Sequence, residues 1–405
     1  MIVPRRGRLL GPGMLVTAAF VGPGTVATAS SAGAAFGYGL VWALLFSVLA
    51  TATLQEMAVR QALVTRNGLA GTLRQALGGS WPGRAAMLLV IAAVGLGNAA
   101  YESGNIAGAA LALADFGGGV GRWSLLIGAT AATLLFLPGY RHLERLLVAL
   151  VLLMSAVFLL SALLLRPDWG ALLRGAMLPQ VPAGSLTTVI ALIGTTVVPY
   201  NLFLQSNAVR ERWGPETPLA QSLAAARSDT LLSVGLGGLI TLAITSTAAA
   251  VYFRSDLAFS PATLPQQLEP TLGPAGRYLF LAGLFAAGLT SAITAPLAAA
   301  YAVCGALGWR DQLRGRAFRA VALAVIACGT LFAASGTRPI AAIVFAQAAN
   351  GLLLPLVALA LLWLMNRRDL LGARANRWRS NLLGALVLAI TLGLGTSRIA
   401  ALFSG

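Results

Sequence analysis

Two interruptions inside membrane-length apolar segments constrain this chain more than any other feature. The segments Gly22–Thr25 and Val197–Tyr200 each contain a proline, and they lie about 175 residues apart in the sequence. Proline removes a backbone donor and disrupts the preceding helical turn. A broken helix is tolerated in hydrocarbon only where protein or a water-filled cavity satisfies the freed backbone groups. Paired breaks of this kind are typical of a transporter's substrate site, and we predict such a site here.

The composition supports a chain of membrane-spanning helices. Hydrophobic residues make up 58% of the 405 residues and charged residues only 10%, whereas a soluble domain averages about 25% charged. The apolar segments also reach the roughly 20 residues that a spanning helix requires. We predict an all-α integral membrane protein with eleven membrane helices, at residues 12–34, 40–63, 84–114, 122–138, 145–165, 186–211, 226–253, 275–307, 318–335, 339–365 and 381–400.

The basic residues indicate how these helices are oriented. All 28 are arginine, and most of them fall in the loops of one side if the N-terminus is placed inside the cell. Cytoplasmic loops of membrane proteins are enriched in basic residues, so this bias predicts a multi-pass protein of the inner (plasma) membrane, with a cytoplasmic N-terminus and an external C-terminus. The formal charge of +16 then indicates contact with the lipid bilayer, and no nucleic-acid partner is predicted.

We predict a single transmembrane transporter domain over residues 1–405, built from two repeats of five helices. The first repeat spans about 12–165, the second spans about 186–365, and an extra helix follows at about 381–400. With five helices per unit the second repeat enters the membrane from the opposite side, as an inverted repeat requires. No nucleophile–base constellation is evident, so we predict that the protein is not an enzyme and needs no cofactor. We also predict that it is a monomer.

The side chains around the two breaks are neutral. Hydroxyls and amides both donate and accept hydrogen bonds, and each break leaves a half-helix whose N-terminus, near Val26 or Asn201, presents free N–H groups. The carboxylate, nitrogen and sulfur ligands of divalent cations are missing, so we predict no metal site and a preference for a small oxyanion. The predicted substrate-binding residues around the breaks are Gly22, Pro23, Gly24, Thr25, Thr195, Thr196, Val198, Pro199, Tyr200 and Asn201.

These segments resemble the Nramp (natural resistance-associated macrophage protein) family of divalent metal transporters. The resemblance implies the family's fold, that of the amino acid–polyamine–organocation and leucine-transporter-like proteins, with a five-plus-five inverted repeat. It also implies a place in the substrate site for Gln347, which with Pro355 resembles the tenth-helix motif. The other matching segments are Gly11–Gly13, Val21–Thr25 and Ala32–Tyr38 in the first helix, Thr195–Ser206 in the sixth and Gly288–Thr294 in the eighth.

The departures from the family pattern fall on the residues that bind metal in the family. Where its members read Asp-Pro-Gly-Asn in helix 1, this chain has Gly22 for the Asp and Thr25 for the Asn. Where they read Met-Pro-His-Asn in helix 6, it has Val198 for the Met and Tyr200 for the His. The resemblance thus implies that the scaffold is retained without the metal carboxylate, thioether and imidazole. A second family His is replaced by Gln205 here.

Several polar residues inside membrane helices are candidates for binding a coupling ion. Intramembrane carboxylates are functional candidates by default, and Glu102 is the acid most clearly placed in a membrane helix; the resemblance pairs it with Asn105, at positions the family links to proton movement. Glu56 and Asp229 lie near arginines at the inner helix ends and predict structural ion pairs. The resemblance implies a fold class in which a sodium ion can bind between helix 8 and the carbonyls of broken helix 1. The residues that could contribute here are Thr290, Ser291, Thr294 and Gln205.

We predict a secondary transporter that takes up a small anion, with bicarbonate preferred and with sodium or protons as candidate coupling ions. A planar oxyanion suits converging N–H and hydroxyl donors. The alternative is a divalent cation, hydrated magnesium before manganese or iron, because a hydrated ion binds neutral oxygens through its waters. A non-transporting membrane sensor is a third alternative, and it predicts that both breaks are closed and dry.

Overall fold

The computed structural model of the chain describes residues 22–137, 141–213, 216–260, 262–309, 315–335 and 339–403, and all regular secondary structure in this part is helical. Short helical turns at Leu264–Leu268 and Glu269–Leu272 precede α11, and another at Arg368–Leu371 follows α13. The longer helices are α1 (Pro23–Phe36), α2 (Val41–Thr65), α3 (Leu69–Leu77), α4 (Trp81–Leu113), α5 (Gly119–Phe136), α6 (Arg141–Leu164), α7 (Trp169–Met177), α8 (Leu186–Thr196), α9 (Pro199–Arg212), α10 (Leu219–Tyr252), α11 (Pro274–Leu307), α12 (Arg316–Ala334), α13 (Pro339–Met365) and α14 (Trp378–Phe403).

The helices confirm an all-α membrane protein. Within the described ranges, eight are long and apolar enough to cross a membrane, or up to nine if the bent pair formed by Val148–Leu164 and Trp169–Met177 is one span. Helices α8 and α9 qualify together as the single span Leu186–Arg212. The first half of the predicted helix 12–34 lies outside the described residues. The count of eleven membrane helices therefore stays a prediction.

Two of the helices, α3 and α7, have no counterpart among the predicted spans. Each has nine residues, which is far fewer than the roughly 20 that cross a bilayer. Asp168 caps α7 by accepting a hydrogen bond from the N–H of Ala171 at 2.9 Å. Such short, capped helices connect the spanning helices, and a search for long apolar segments does not find them.

The packing of the helices is reciprocal between the two halves. Helix α1 packs on α10, and the corresponding pair in the other half, α8 with α9, packs on α2. Helix α6 packs on α11, and its counterpart α13 packs on α4. An inverted repeat predicts this exchange of partners. The residue boundaries proposed for the two repeats stay a prediction.

Helices α8 and α13 meet main chain against main chain. A Cβ atom on Gly194 would overlap the carbonyl oxygen of Gln347, and a Cβ on Gly351 would lie 2.6 Å from the carbonyl oxygen of Ile190. Glycines on both helices permit this approach, as small residues do in membrane helix interfaces. The contact places the backbone of Gln347 directly beside the end of α8 that leads into the second break.

Candidate functional site

Both breaks open helices that begin on proline. Gly22 is the extended N-cap before Pro23, and Val198 is the extended N-cap before Pro199. Proline is suited to the first position of a helix because the N–H it lacks would have no partner there. The starts predicted near Val26 and Asn201 are therefore a few residues too late. Neither N-terminus receives a side-chain cap, so backbone donors remain at both.

The two broken helices are joined by a pair of buried threonines. The hydroxyl oxygens of Thr25 on α1 and Thr195 on α8 lie 3.0 Å apart, within hydrogen-bond distance. Their side chains are 1% and 0% exposed. The sequence predicted both residues for the site, and the structure brings them into direct contact across the break.

Gln347 of α13 reaches the first break. Its side-chain amide rests on Gly24, where a Cβ atom would overlap the amide nitrogen. Gln347 is completely buried, and neither its amide oxygen nor its amide nitrogen has a hydrogen-bond partner among the described residues. The position that the family resemblance implied thus lies at the first break.

The second break also presents unpaired polar atoms. The hydroxyl of Tyr200 and both amide atoms of Asn201 are buried and lack a partner within the described part of the chain. Buried polar groups are normally hydrogen-bonded, so a cluster without partners is suited to a polar ligand or to its water. The ring of Tyr101 on α4 packs edge-on against Tyr200, with centroids 5.1 Å apart. Sequence reasoning missed Tyr101, although it directly precedes Glu102.

The carbonyl end of the second break is partly occupied. The carbonyl oxygen of Thr196 accepts a hydrogen bond from the Thr51 hydroxyl of α2 at 3.3 Å, and that of Ile193 accepts from the N–H of Val197 at 2.8 Å. The Thr196 carbonyl at the end of α8 is therefore not free. Thr51 is a second residue that sequence reasoning missed, because a lone threonine in an apolar helix carries no pattern.

Side chains that commonly bind metals do not cluster at the breaks. Across the described ranges, no group of three or more His, Cys, Asp or Glu side chains is arranged to hold a metal ion. A cation entering between α1 and α9 would therefore meet hydroxyl, amide and backbone oxygens. Such neutral oxygens bind a hydrated hard cation more readily than a dehydrated transition metal.

Glu102 and Asn105, at the positions that the family resemblance links to proton movement, are hydrogen-bonded to each other in the protein interior. The side-chain nitrogen of Asn105 donates to one carboxyl oxygen of Glu102 at 3.2 Å, and the other carboxyl oxygen has no partner in the described structure. Glu102 is completely buried, and Gly329 of α12 lies against its side chain. This acid is enclosed between α4 and α12, where a charged form would be costly.

The hydroxyls of α11 mainly bond their own helix. Thr290 donates to the carbonyl oxygens of Ala286 and Ala287, and Thr294 donates to those of Thr290 and Ser291. The Ser291 hydroxyl is buried without a partner among the described residues. A sodium ion at this position stays a prediction. Gln205 of α9, the other candidate, donates to the Thr230 hydroxyl at 3.3 Å.

A buried glutamine joins the connecting loop to two helices on the side of the protein that is predicted to face outward. Gln267, in the helical turn Leu264–Leu268, accepts from the Ser30 hydroxyl at 2.7 Å. Its amide nitrogen donates to the Ile244 carbonyl at 2.8 Å and to the Thr247 hydroxyl at 2.7 Å. These bonds tie the connecting loop to α1 and α10. Sequence reasoning missed this residue.

Glu56 forms the predicted structural ion pairs. Its carboxylate lies 3.1 Å from Arg60 on the same helix and 2.7 Å from Arg227 on α10. Arg60 also donates to the Arg374 carbonyl and to the Asn376 side-chain oxygen, both at 2.7 Å. The cluster therefore links α2 and α10 to the connection before α14, which confirms the structural interpretation of Glu56.

An all-α membrane protein with two buried helix breaks lined by polar groups is typical of a secondary transporter. The sequence profile described as natural resistance-associated macrophage protein-like matches residues 13–401. The chain belongs to this family, Nramp, and is a multi-pass membrane transporter.

Individual proteins agree with this assignment. The chain is 29% identical to the divalent metal cation transporter MntH of Burkholderia ambifaria, over 98% of this chain and 89% of the relative. Its fold matches the crystal structure of the Eremococcus coleocola manganese transporter in complex with an aromatic bis-isothiourea substituted compound. That match has a TM-score of 0.78 at 24% identity and covers 97% of this chain and 87% of the other. Mhp1, a nucleobase-cation-symport-1 family transporter, matches with a TM-score of 0.57 at 16% identity over 96% and 92% of the two chains.

Proposed function

We propose that the protein transports a divalent cation, magnesium in preference to manganese or iron, and that the ion retains part of its water shell in the site. Its relatives include divalent metal cation transporters that align with nearly the whole chain. The bicarbonate preference drawn from the sequence has no support among these relatives. A divalent cation is therefore the first candidate, and the neutral side chains at the breaks favour its hydrated form.

The observation that carries the proposal is the set of unpaired neutral oxygens at the breaks. The Tyr200 hydroxyl and the amide oxygens of Asn201 and Gln347 are all buried without partners among the described residues. Magnesium gives up its water reluctantly and usually keeps several waters when it binds protein. Hydroxyl and amide oxygens accept hydrogen bonds from such waters, whereas replacing the water shell of manganese or iron calls for charged or softer ligands.

A small oxyanion such as bicarbonate is the second candidate, and a different observation favours it. The N-termini of α1 and α9 lack side-chain caps, and helix N-termini attract anions. The side-chain nitrogens of Asn201 and Gln347 are also unpaired within the described ranges. These donors would suit a planar anion, provided that a co-transported cation balances its charge.

Uptake into proteoliposomes separates the two candidates. We expect magnesium to enter vesicles loaded with a magnesium-sensitive dye faster than it enters protein-free vesicles, and labelled bicarbonate not to accumulate under a sodium or proton gradient. Gln347→Ala should reduce magnesium uptake. Gln266→Ala should not, because Gln266 is a half-buried glutamine in the turn Leu264–Leu268, away from both breaks. Bicarbonate uptake without magnesium uptake would establish the second candidate, and uptake of neither would favour a sensor.

Protons are the coupling ion that we propose, with Glu102 as the residue that carries them. The buried carboxyl has one oxygen without a partner in the described structure, and a neutral acid is the form that such a site favours. Glu102→Gln keeps a neutral side chain of similar shape. We expect uptake by this variant to lose its dependence on an imposed pH gradient, while Glu56→Gln keeps that dependence. Dependence on a sodium gradient instead would point to Ser291.

We propose that the protein is a monomer in the plasma membrane and that its N-terminus is cytoplasmic. The arginine-rich loops support this orientation. Protease accessibility of epitope tags at the two termini in sealed cells and in inverted vesicles tests it, because the N-terminal tag should be cleaved only in inverted vesicles.

A further inference from the structure

A cationic cavity lies at the end of the bundle that the arginine distribution predicts to be cytoplasmic. The cavity has a volume of about 180 Å³. It lies between α3, the last turn of α9 and the C-terminal end of α11. Its position is distinct from the two breaks, and none of the residues lining it belongs to the substrate site. The polar and aromatic side chains of its wall are Asn67, Arg74, Gln75, Arg210 and Trp309.

The described wall of this cavity carries positive charge. Of its described lining residues, Arg74 and Arg210 are cationic and none is acidic. Within the described ranges the Arg74 guanidinium makes no hydrogen bond or ion pair. A guanidinium carries five N–H donors in a fixed planar arrangement, so Arg74 offers several donors to a ligand.

The fold holds Arg74 in this place. Helix α11 ends at Gly308 in the left-handed conformation, with φ of +72°, and a Cβ atom there would overlap the Arg74 guanidinium. A cation beside a helix C-terminus is favoured by the helix dipole. The dipole accounts for the position of the charge but uses none of the guanidinium N–H donors.

The aromatic wall suits a ligand at the membrane surface. Trp309 follows the last turn of α11 and is 49% exposed, and tryptophan is enriched at the headgroup level of bilayers. Basic pockets on the cytoplasmic side of transmembrane bundles are suited to anionic lipid headgroups. The amides of Asn67 and Gln75 add neutral donors beside the two arginines.

We infer that this cavity binds a phosphate group, carried either by an anionic phospholipid of the cytoplasmic leaflet or by soluble phosphate. Arginine pairs with phosphate through two parallel hydrogen bonds, which gives both charge and geometry. The bound group would bridge α3 and α9, so it would connect a surface helix to the helix that begins at the second break.

Two binding measurements on the purified full-length protein distinguish the sources. Native mass spectrometry compares adducts of phosphatidylglycerol with those of phosphatidylcholine, and calorimetry titrates inorganic phosphate. Arg74→Gln should weaken the binding of the lipid or of inorganic phosphate, whichever the protein binds. The expected loss is about tenfold, as for a charged hydrogen bond. Arg84→Gln is the matched control, because Arg84 is also exposed on α4 of the same side but does not line the cavity.

A second variant keeps the test decisive if Arg74→Gln lowers the yield of folded protein. Gln75→Glu places a negative charge in the cavity on the exposed side of α3, and it should weaken phosphate binding as strongly. Phosphatidylglycerol adducts that are lost in both variants identify a lipid site, and calorimetric binding of phosphate lost in both identifies a soluble one. Equal binding of both sources by the two variants and the Arg84→Gln control overturns the inference.

Discussion

The hydroxyl oxygens of Thr25 and Thr195 lie 3.0 Å apart, in a completely buried contact between two helices that are each interrupted at a proline. The contact brings the two breaks together. A substrate that passes between α1 and α8 must separate these hydroxyls or bind beside them. The threonine pair is therefore expected to contribute both to stability and to transport.

A double-mutant cycle measures this contribution. We expect Thr25→Val and Thr195→Val each to destabilise the protein and the pair to show a coupling energy of about 1 kcal/mol, because either single change removes the same hydrogen bond. Thermal unfolding in detergent provides the stabilities, and magnesium uptake provides the activity. Thr130→Val is the control, since Thr130 is exposed and bonds only its own helix. Strict additivity of the two changes would show that the contact is not formed.

Two glycines near Gln347 should respond differently to the same added methyl group. Gly24→Ala directs the methyl into the Gln347 side chain, whereas Gly194→Ala directs it into the Gln347 main-chain carbonyl. We expect each to cost about 1–3 kcal/mol, as overpacking does. Adding Gln347→Ala should restore the stability of Gly24→Ala only, because the carbonyl remains in place. Melting temperatures of the four variants test this, and rescue of both glycine variants would contradict the packing described.

Gln267 should hold the outer face closed. Gln267→Ala leaves the Ser30 and Thr247 hydroxyls without their buried partner, so we expect a loss of about 1–3 kcal/mol. Hydrogen exchange should rise in residues 262–272 and in the facing part of α10. Gln266→Ala changes the neighbouring residue of the same turn and should leave exchange unchanged. Equal protection from hydrogen exchange in the Gln267→Ala and Gln266→Ala variants would contradict this role.

The Glu56 cluster should stabilise the opposite end of the bundle. Glu56→Gln removes the carboxylate shared by Arg60 and Arg227, and Arg60 is only 6% exposed at its side chain. We expect a loss of about 1–3 kcal/mol. Asp369→Asn breaks the ion pair with Arg367, which is largely exposed, and should be nearly neutral because solvent screens such pairs. Comparable melting temperatures for the two variants would argue against a structural role for Glu56.

The local chemistry of the breaks was predictable from sequence, since proline and glycine act on their own backbone. Pro23 and Pro199 mark the helix starts directly, and the neutral character of Thr25 and Asn201 can be read from their residue types. The positions were a few residues off because proline was treated only as an interruption, although it also suits the first helical position.

Long-range contacts could not be predicted in the same way. Gln267 lies in a loop, and its partners Ser30 and Ile244 are distant in sequence. Thr51 reaches the end of α8 from another helix. Such pairings depend on how helices pack, and one polar residue in an apolar helix fits several arrangements equally well. The preference for an anion has no support among the relatives for a related reason, because missing ligands disfavour a bare metal ion but do not by themselves select an anion.

The glycine contacts between α8 and α13 have a mechanical consequence. With Gly194 against the Gln347 carbonyl and Gly351 against the Ile190 carbonyl, neither helix can slide or rotate on the other without its peptide groups colliding. The two are therefore expected to move together, and bending would concentrate at Val197–Val198, between the end of α8 and the start of α9. The hinge would then lie within the segment that we propose to bind the substrate.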